Sequence, residues 1–201
     1  QVEINSKIEI KGKTYPWVSR GGIKLEKAIL EFKLNCDLII ALDIGASTGG
    51  FTDVLLARGA KKIYAVDVGY GQLDWRLRQN ERVIVKEKTN ARFLTDQIIK
   101  DPLDAIVCDA SFISLKKVLP SGLSLLKTKG WLAALIKPQF EVGKGLVGKG
   151  GVVRDPELHQ EVVADIKNWL QHDMNMYLSG VVESPILGPS GNKEFVIVAN
   201  K

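Results

Sequence analysis

Apolar residues along this chain fall into short runs that end on a polar residue, separated by stretches with helical spacing. Residues 38–43 (LIIALD), 62–67 (KIYAVD), 83–87 (VIVKE), 104–109 (DAIVCD) and 131–137 (WLAALIK) each have the length and apolar density of a buried strand. The intervening segments 51–57, 71–80 and 114–127 read as helices, the last interrupted by Pro120 and Gly122. Ahead of the first strand, Ile23, Ala28, Ile29 and Phe32 share one helical face, and Ser19 is the expected cap. Residues 156–171 predict an amphipathic helix with Pro156 in its first turn. Two late strands, 175–183 and 194–199, flank a turn rich in proline and glycine. The segment from Glu141 to Gly151 holds five glycines and reads as a loop. Val2, Ile4, Ile8 and Ile10 alternate with polar neighbours, as strand residues do.

Strand and helix alternate repeatedly, which predicts an α/β chain with a mostly parallel sheet and helices on both faces. Ligands of such sheets bind beyond the carboxyl ends of the strands. Asp43, Asp67, Asp109 and Lys137 end four of the runs and should gather on that edge.

Composition narrows the class. The chain has 201 residues, 45% apolar and 25% charged, the make-up of a globular domain rather than a disordered or fibrous one. No run reaches the length of a membrane span, and the first ten residues lack the apolar stretch of a signal peptide. Cys36 and Cys108 make neither a disulfide framework nor a metal spacing, which fits a reduced, cytoplasmic setting without a metal. The net charge of +5 is uneven: residues 1–33, 71–100 and 137–154 each carry a surplus of +3. A basic face suits a polyanion, although solvated helix faces would look the same.

The loop after the first strand reads Asp43-Ile44-Gly45-Ala46-Ser47-Thr48-Gly49-Gly50-Phe51. A dinucleotide fingerprint needs glycine where Ser47 stands, which disfavours a nicotinamide or flavin dinucleotide. Glycines still allow a ligand close to the backbone at a helix start. Asp43 supplies a carboxylate for a cationic group, and Asp67, ending the second strand, stands where an acid takes ribose hydroxyls. An adenosine with a cationic amino-acid tail satisfies both, and S-adenosylmethionine is the obvious candidate. The expected cofactor set is therefore Asp43, Gly45, Ser47, Thr48, Gly49, Gly50 and Phe51, then Asp67 and Val68, with Asn90 at the adenine edge and Asp109 near the sulfonium.

The segments DIGASTGGFTD, VDVGYGQLDWRLR, EKTNAR, CDASFISLKKVLP, IKPQFE, VGKGGVVRD and SP-x-x-G-x-x-GNKEF follow one another in this order. Together they resemble the TlyA or hemolysin-A family of rRNA ribose methyltransferases, a branch of the FtsJ-like methyltransferases, from about Tyr15 onward. The resemblance implies a Rossmann-like class I methyltransferase fold, with a seven-stranded sheet that is parallel except for one strand. It implies transfer of a methyl group from S-adenosylmethionine to a ribose 2′-hydroxyl of ribosomal RNA. The catalytic Lys-Asp-Lys-Glu set of that family falls on Lys24, Asp109, Lys137 and Glu194. Family members carry a small RNA-binding domain ahead of the SRGG motif. Residues 1–13 read here as its stub or linker, and 14–201 as the methyltransferase domain.

A ribose hydroxyl is a poor nucleophile, so in-line positioning carries much of the rate. Lys137 is the expected proton acceptor, with Lys24, Asp109 and Glu194 orienting it or the ribose. Arg20, Lys144, Lys149 and Arg154 are expected to flank the mouth and hold phosphates. Trp75, Trp131 and Trp169 read as core residues, and His159 and His172 as surface residues. Two rival functions remain open at this point: an RNA-binding protein with little catalysis, and a lytic protein as the hemolysin name suggests. Neither a signal peptide nor an apolar span supports lysis.

Overall fold

The computed structural model describes residues 15–201; the strand expected over 2–10 and the boundary after residue 13 lie outside them. Helix α1 (Gly21–Phe32) precedes strand β1 (Ile40–Ile44), α2 (Gly50–Ala57) and β2 (Lys62–Val66). The short helix α3 (Trp75–Arg78) leads to β3 (Val83–Lys86), and β4 (Leu103–Cys108) follows. Two short helices, α4 (Leu115–Val118) and α5 (Pro120–Ser124), precede β5 (Leu126–Ile136). The chain ends with α6 (Pro138–Glu141), α7 (Pro156–His172), β6 (Tyr177–Glu183) and β7 (Phe195–Asn200).

The seven strands lie in the order β3-β2-β1-β4-β5-β7-β6. β7 runs antiparallel to both its neighbours, and the remaining pairs are parallel, as expected. Apolar cores fill both faces of the sheet. One gathers α1 and α2 around Leu25, Leu55 and Ile63; the other gathers α4, α5 and α7 around Leu119, Ile106 and Ile166. The order reverses between β1 and β4, and the site lies beyond that crevice.

Several local expectations are corrected. Ser19 does not cap α1; Arg20 occupies that position without a side-chain bond to the helix. The helix over 71–80 shrinks to one turn. Asp74 caps it by accepting from Arg76 N, and the residues before it form a loop in which Gly71 N donates to Glu87. The stretch 114–127 breaks at Pro120, and β5 begins at Leu126. Trp75 is exposed, whereas Trp131 and Trp169 are core residues. His159 is buried because its Nε2 bonds Val153 O at 2.9 Å and its ring packs edge-on against Phe195.

Candidate active site

The loop after β1 is fastened to β2, since Gly45 N and Ala46 N both donate to Val66 O at 2.9 and 3.1 Å. Gly45 has a φ of +78°, and a Cβ there would stand 2.9 Å from Ala110 Cα. Only glycine lets the loops after β1 and β4 approach this closely. Asp67 receives Ser47 N on one carboxylate oxygen at 2.8 Å and Gly69 N on the other at 2.7 Å. Asp67 also lines a cavity, and its carboxylate keeps acceptor capacity beyond these two bonds.

Asp43 is fully buried. Thr52 Oγ1 donates to its Oδ2 at 2.7 Å, and Oδ1 has no hydrogen-bond partner. Burial raises its pKa to about 7, opposed by the Thr52 hydrogen bond and aided by the charges of Asp109 and Asp67. An orphan carboxylate oxygen beside a cavity is what a cationic ligand would satisfy, so these residues fit the amino-acid end of S-adenosylmethionine.

Two adjoining cavities open on this edge. The larger, about 500 Å³, is lined by Gly45, Ser47, Asp67, Val68 and Asn90 among others. The smaller, about 250 Å³, shares Gly45, Ser47, Asp109 and Ser111 with it and is closed by Arg20, Lys24, Asp43, Gly50, Phe51 and Lys137. Asn90 also shapes its own wall, because its side chain accepts from Arg92 N at 3.1 Å.

Four charged groups from distant parts of the chain meet beside the smaller cavity: Lys24, Asp109 and Lys137 line it, and Glu194, bonded to Lys24, lines neither cavity. Lys24 lies on the buried face of α1 with Leu25 and Ala28. Its Nζ donates to Glu194 Oε2 at 2.6 Å and stands 3.8 Å from Asp109 Oδ2. Lys137, just past β5, holds its Nζ 2.6 Å from Asp109 Oδ1 and donates to Asp109 O at 3.2 Å and Ser111 Oγ at 2.8 Å. Glu194 is buried just before β7, and its Oε1 has no partner. A Cβ at Gly188 would overlap that carboxylate, so glycine is needed there to admit it. Two lysines and two carboxylates sum to zero formal charge, which is how these groups stay buried or nearly so.

The expected residues do not all face the cavities. Thr48 and Gly49 line neither; Thr48 O accepts Asp74 N, and Gly49 packs against Leu73 and Leu77. Arg20 lines the smaller cavity, while Lys149 and Arg154 are exposed on the loop before α7 and line neither cavity. That loop is tied to the turn before Glu194, because Asn192 accepts Val153 N at 3.1 Å and donates to Gly151 O at 2.9 Å. The side chain of Lys144 lies outside the described residues. Ser111 and Phe112 were missed by the sequence reading. Phe112 is 91% exposed at a φ of +64°, with its ring 5.0 Å from that of Phe140. The available signal was their place immediately after the aspartate that ends a strand.

Comparison with known proteins places this geometry in a family. Residues 17–201 match the family described as FtsJ-like methyltransferase. The chain is 49% identical over 181 residues to the 16S/23S rRNA (cytidine-2′-O)-methyltransferase TlyA of Mycobacterium tuberculosis, covering 90% of this chain and 67% of that protein. A solved structure from Streptococcus thermophilus that carries a hemolysin name superposes with a TM-score of 0.90 at 43% identity, covering 95% of this chain and 69% of that one. Fibrillarin from Aeropyrum pernix, solved with natively bound S-adenosyl-L-methionine, shares the fold alone, with a TM-score of 0.59 at 17% identity over 90% of this chain and 74% of that one. With the family match running through the whole sheet and both ends of the charged cluster, the chain belongs to the FtsJ-like methyltransferases.

Proposed function

We propose that the protein transfers a methyl group from S-adenosylmethionine to a ribose 2′-hydroxyl of ribosomal RNA, with cytidine the first nucleotide to test. The observation that carries this reading is the buried Lys24–Glu194 and Lys137–Asp109 cluster facing a small cavity that adjoins a larger one. A methyl acceptor in the small cavity would meet both lysines, while an adenosine in the larger cavity would lie against Asp67, Val68 and Asn90.

In this reading Asp67 binds the adenosine ribose, and the orphan oxygen of Asp43 faces the cationic end. Gly45, Ser47, Thr48 and Gly49 form the turn and Gly50 and Phe51 the start of α2, which together let the ligand approach the backbone. When bound, S-adenosylmethionine supplies a methyl group on a positively charged sulfur. Lys137 takes the proton of the ribose hydroxyl, Asp109 holds that lysine in place, and Lys24, held by Glu194, fixes the ribose. The arrangement orients the reacting oxygen, and positioning of that kind carries much of the rate. Arg20, Lys144, Lys149 and Arg154 hold phosphates, so RNA affinity should fall steeply with salt. Among the described residues, no helix is long and apolar enough to cross a membrane, and no observation here favours the lytic reading.

The test is incubation with unmodified ribosomal RNA and donor carrying a labelled methyl group, followed by alkaline hydrolysis. Ribose 2′-O-methylation blocks cleavage at its own nucleotide, so label should appear in alkali-resistant dinucleotides. Label in mononucleotides would place the methyl on a base and overturn the reading.

A further inference from the structure

Lys137 lines the smaller cavity but is only 5% exposed, so little of its side chain meets a substrate there. Three oxygens surround its Nζ: Asp109 Oδ1, Asp109 O and Ser111 Oγ, at 2.6, 3.2 and 2.8 Å. Nζ donates hydrogen bonds to Asp109 O and Ser111 Oγ, and its contact with Asp109 Oδ1 is an ion pair. Two of the partners belong to Asp109, whose carboxylate also faces Lys24. Ser111 differs from them. It is uncharged, it is exposed, and it lines both cavities. Among the described residues it is the one hydroxyl bonded to either lysine of the cluster.

A hydroxyl donates and accepts at once. An exposed hydroxyl in contact with a buried amine is therefore a path between that amine and the cavity. Resting on the transferase reading above, we propose that Ser111 is a further catalytic residue. Its oxygen accepts the hydrogen bond of the ribose 2′-hydroxyl; once Lys137 has released one proton to solvent, so that the N–H it donates to Ser111 Oγ gives way to a lone pair, the serine proton passes to that amine as the ribose proton replaces it. The ribose oxygen gains one bond to carbon and loses one to hydrogen. The electron pair of the broken carbon–sulfur bond stays on sulfur. Ser111 ends as it began, and the proton rests on Lys137 as an ammonium. Asp109 stands on the other side of that ammonium and receives its charge.

The proposal is tested by two measurements on this chain. The first needs no cofactor: a short cytidine-containing RNA oligonucleotide and its 2′-deoxycytidine counterpart are bound at low salt. The wild type should prefer the ribose form by about fivefold, the value of one hydrogen bond. Ser111→Ala should bind both forms equally, and Ser111→Thr, which keeps a hydroxyl, should keep the preference. The second is single-turnover methylation of unmodified ribosomal RNA. Ser111→Ala should slow transfer by at least about tenfold with S-adenosylhomocysteine affinity unchanged, and Ser111→Thr should recover much of the rate. A wild type blind to the 2′-hydroxyl, or a Ser111→Ala variant within about twofold of wild-type turnover, overturns the relay. Failure of the wild type to methylate ribose overturns the transferase reading itself and the relay with it, whereas wild-type transfer with Ser111→Ala intact overturns the relay alone.

Discussion

The two cavities of the site are built in opposite ways. The larger is lined by residues between Ile44 and Val118, and the bonds that shape its ribose end are local: Ser47 and Asp67 are 20 residues apart, and Gly69 donates to Asp67 only two residues away. Its contacts are mostly backbone amides on side chains, set by the turns that follow β1 and β2. The smaller cavity is lined by charged groups as far apart as Lys24 and Lys137, Lys24 is held by Glu194 170 residues away, and these contacts are charge on charge. A turn holds its shape through its own backbone. A buried ion cluster holds only while every partner is present, because removing one strands a charge. The cofactor side should therefore lose affinity residue by residue, and the transfer side should fail as a unit.

The largest effect expected is at Lys137. Lys137→Ala should lower the transfer rate by about a thousandfold, the scale of a lost proton acceptor, while S-adenosylhomocysteine affinity by calorimetry stays within a few-fold. A comparable loss of both would merge the two cavities into one functional unit and break the contrast.

Next comes the Lys24–Glu194 pair. Glu194→Ala leaves the Lys24 ammonium buried with Asp109 alone at 3.8 Å, and should destabilise the fold by about 3 kcal/mol in urea titrations. The double variant Lys24→Ala with Glu194→Ala should cost less than the sum of the single variants, in stability and in rate alike. Additive losses would mean that the two groups act independently.

On the cofactor side, Asp67→Ala should weaken S-adenosylhomocysteine binding by about ten- to a hundredfold, since hydrogen bonds to a charged group are lost. Transfer at saturating donor should change far less than in Lys137→Ala. A collapse of the saturated rate would show that Asp67 serves the chemistry rather than binding.

The smallest effect concerns pH. In the unfolded chain Asp43 titrates near about 3.9, and in the fold near 7. Between those values the folded state holds a proton that the unfolded state lacks, so Asp43 makes stability fall as pH rises toward 7 and level off above it. A bound cation favours the ionised carboxylate, so donor affinity should rise several-fold as pH passes through about 7. Asp43→Asn should flatten both curves, measured by thermal melts and calorimetry. An unchanged slope in the variant would assign the dependence to another group.

The same division separates what is legible in the sequence from what is not. The parallel strands, the glycine turn and the acids that end β1, β2 and β4 were legible because each depends on neighbours along the chain. Lys24 was named only by the family's motif: by spacing alone it is one more lysine on a helix, and its place on the face shared with Leu25 and Ala28 is what marks it. The helix expected over 71–80 failed because Gly69, Gly71 and Glu87 offered the backbone other bonds. Trp75 and His159 changed places with expectation for a related reason. A short α3 leaves Trp75 without a wall to pack on, and the turn at Val153 gives His159 a buried acceptor.

Hydrophobic periodicity by itself determined that this chain is an α/β protein with strand ends rich in acids, because the alternation of buried and exposed positions is a local property of each element. The order of the strands brought β4 beside β1, β5 beside β4, and β7 antiparallel between β5 and β6. That order decided which charges meet. Lys24, Asp109, Lys137 and Glu194 become neighbours only when four separate elements end at one edge, and Ser111 becomes the partner of a buried lysine only there. Coulombic contact depends on distance through space, and distance through space is what the pattern along the chain does not carry.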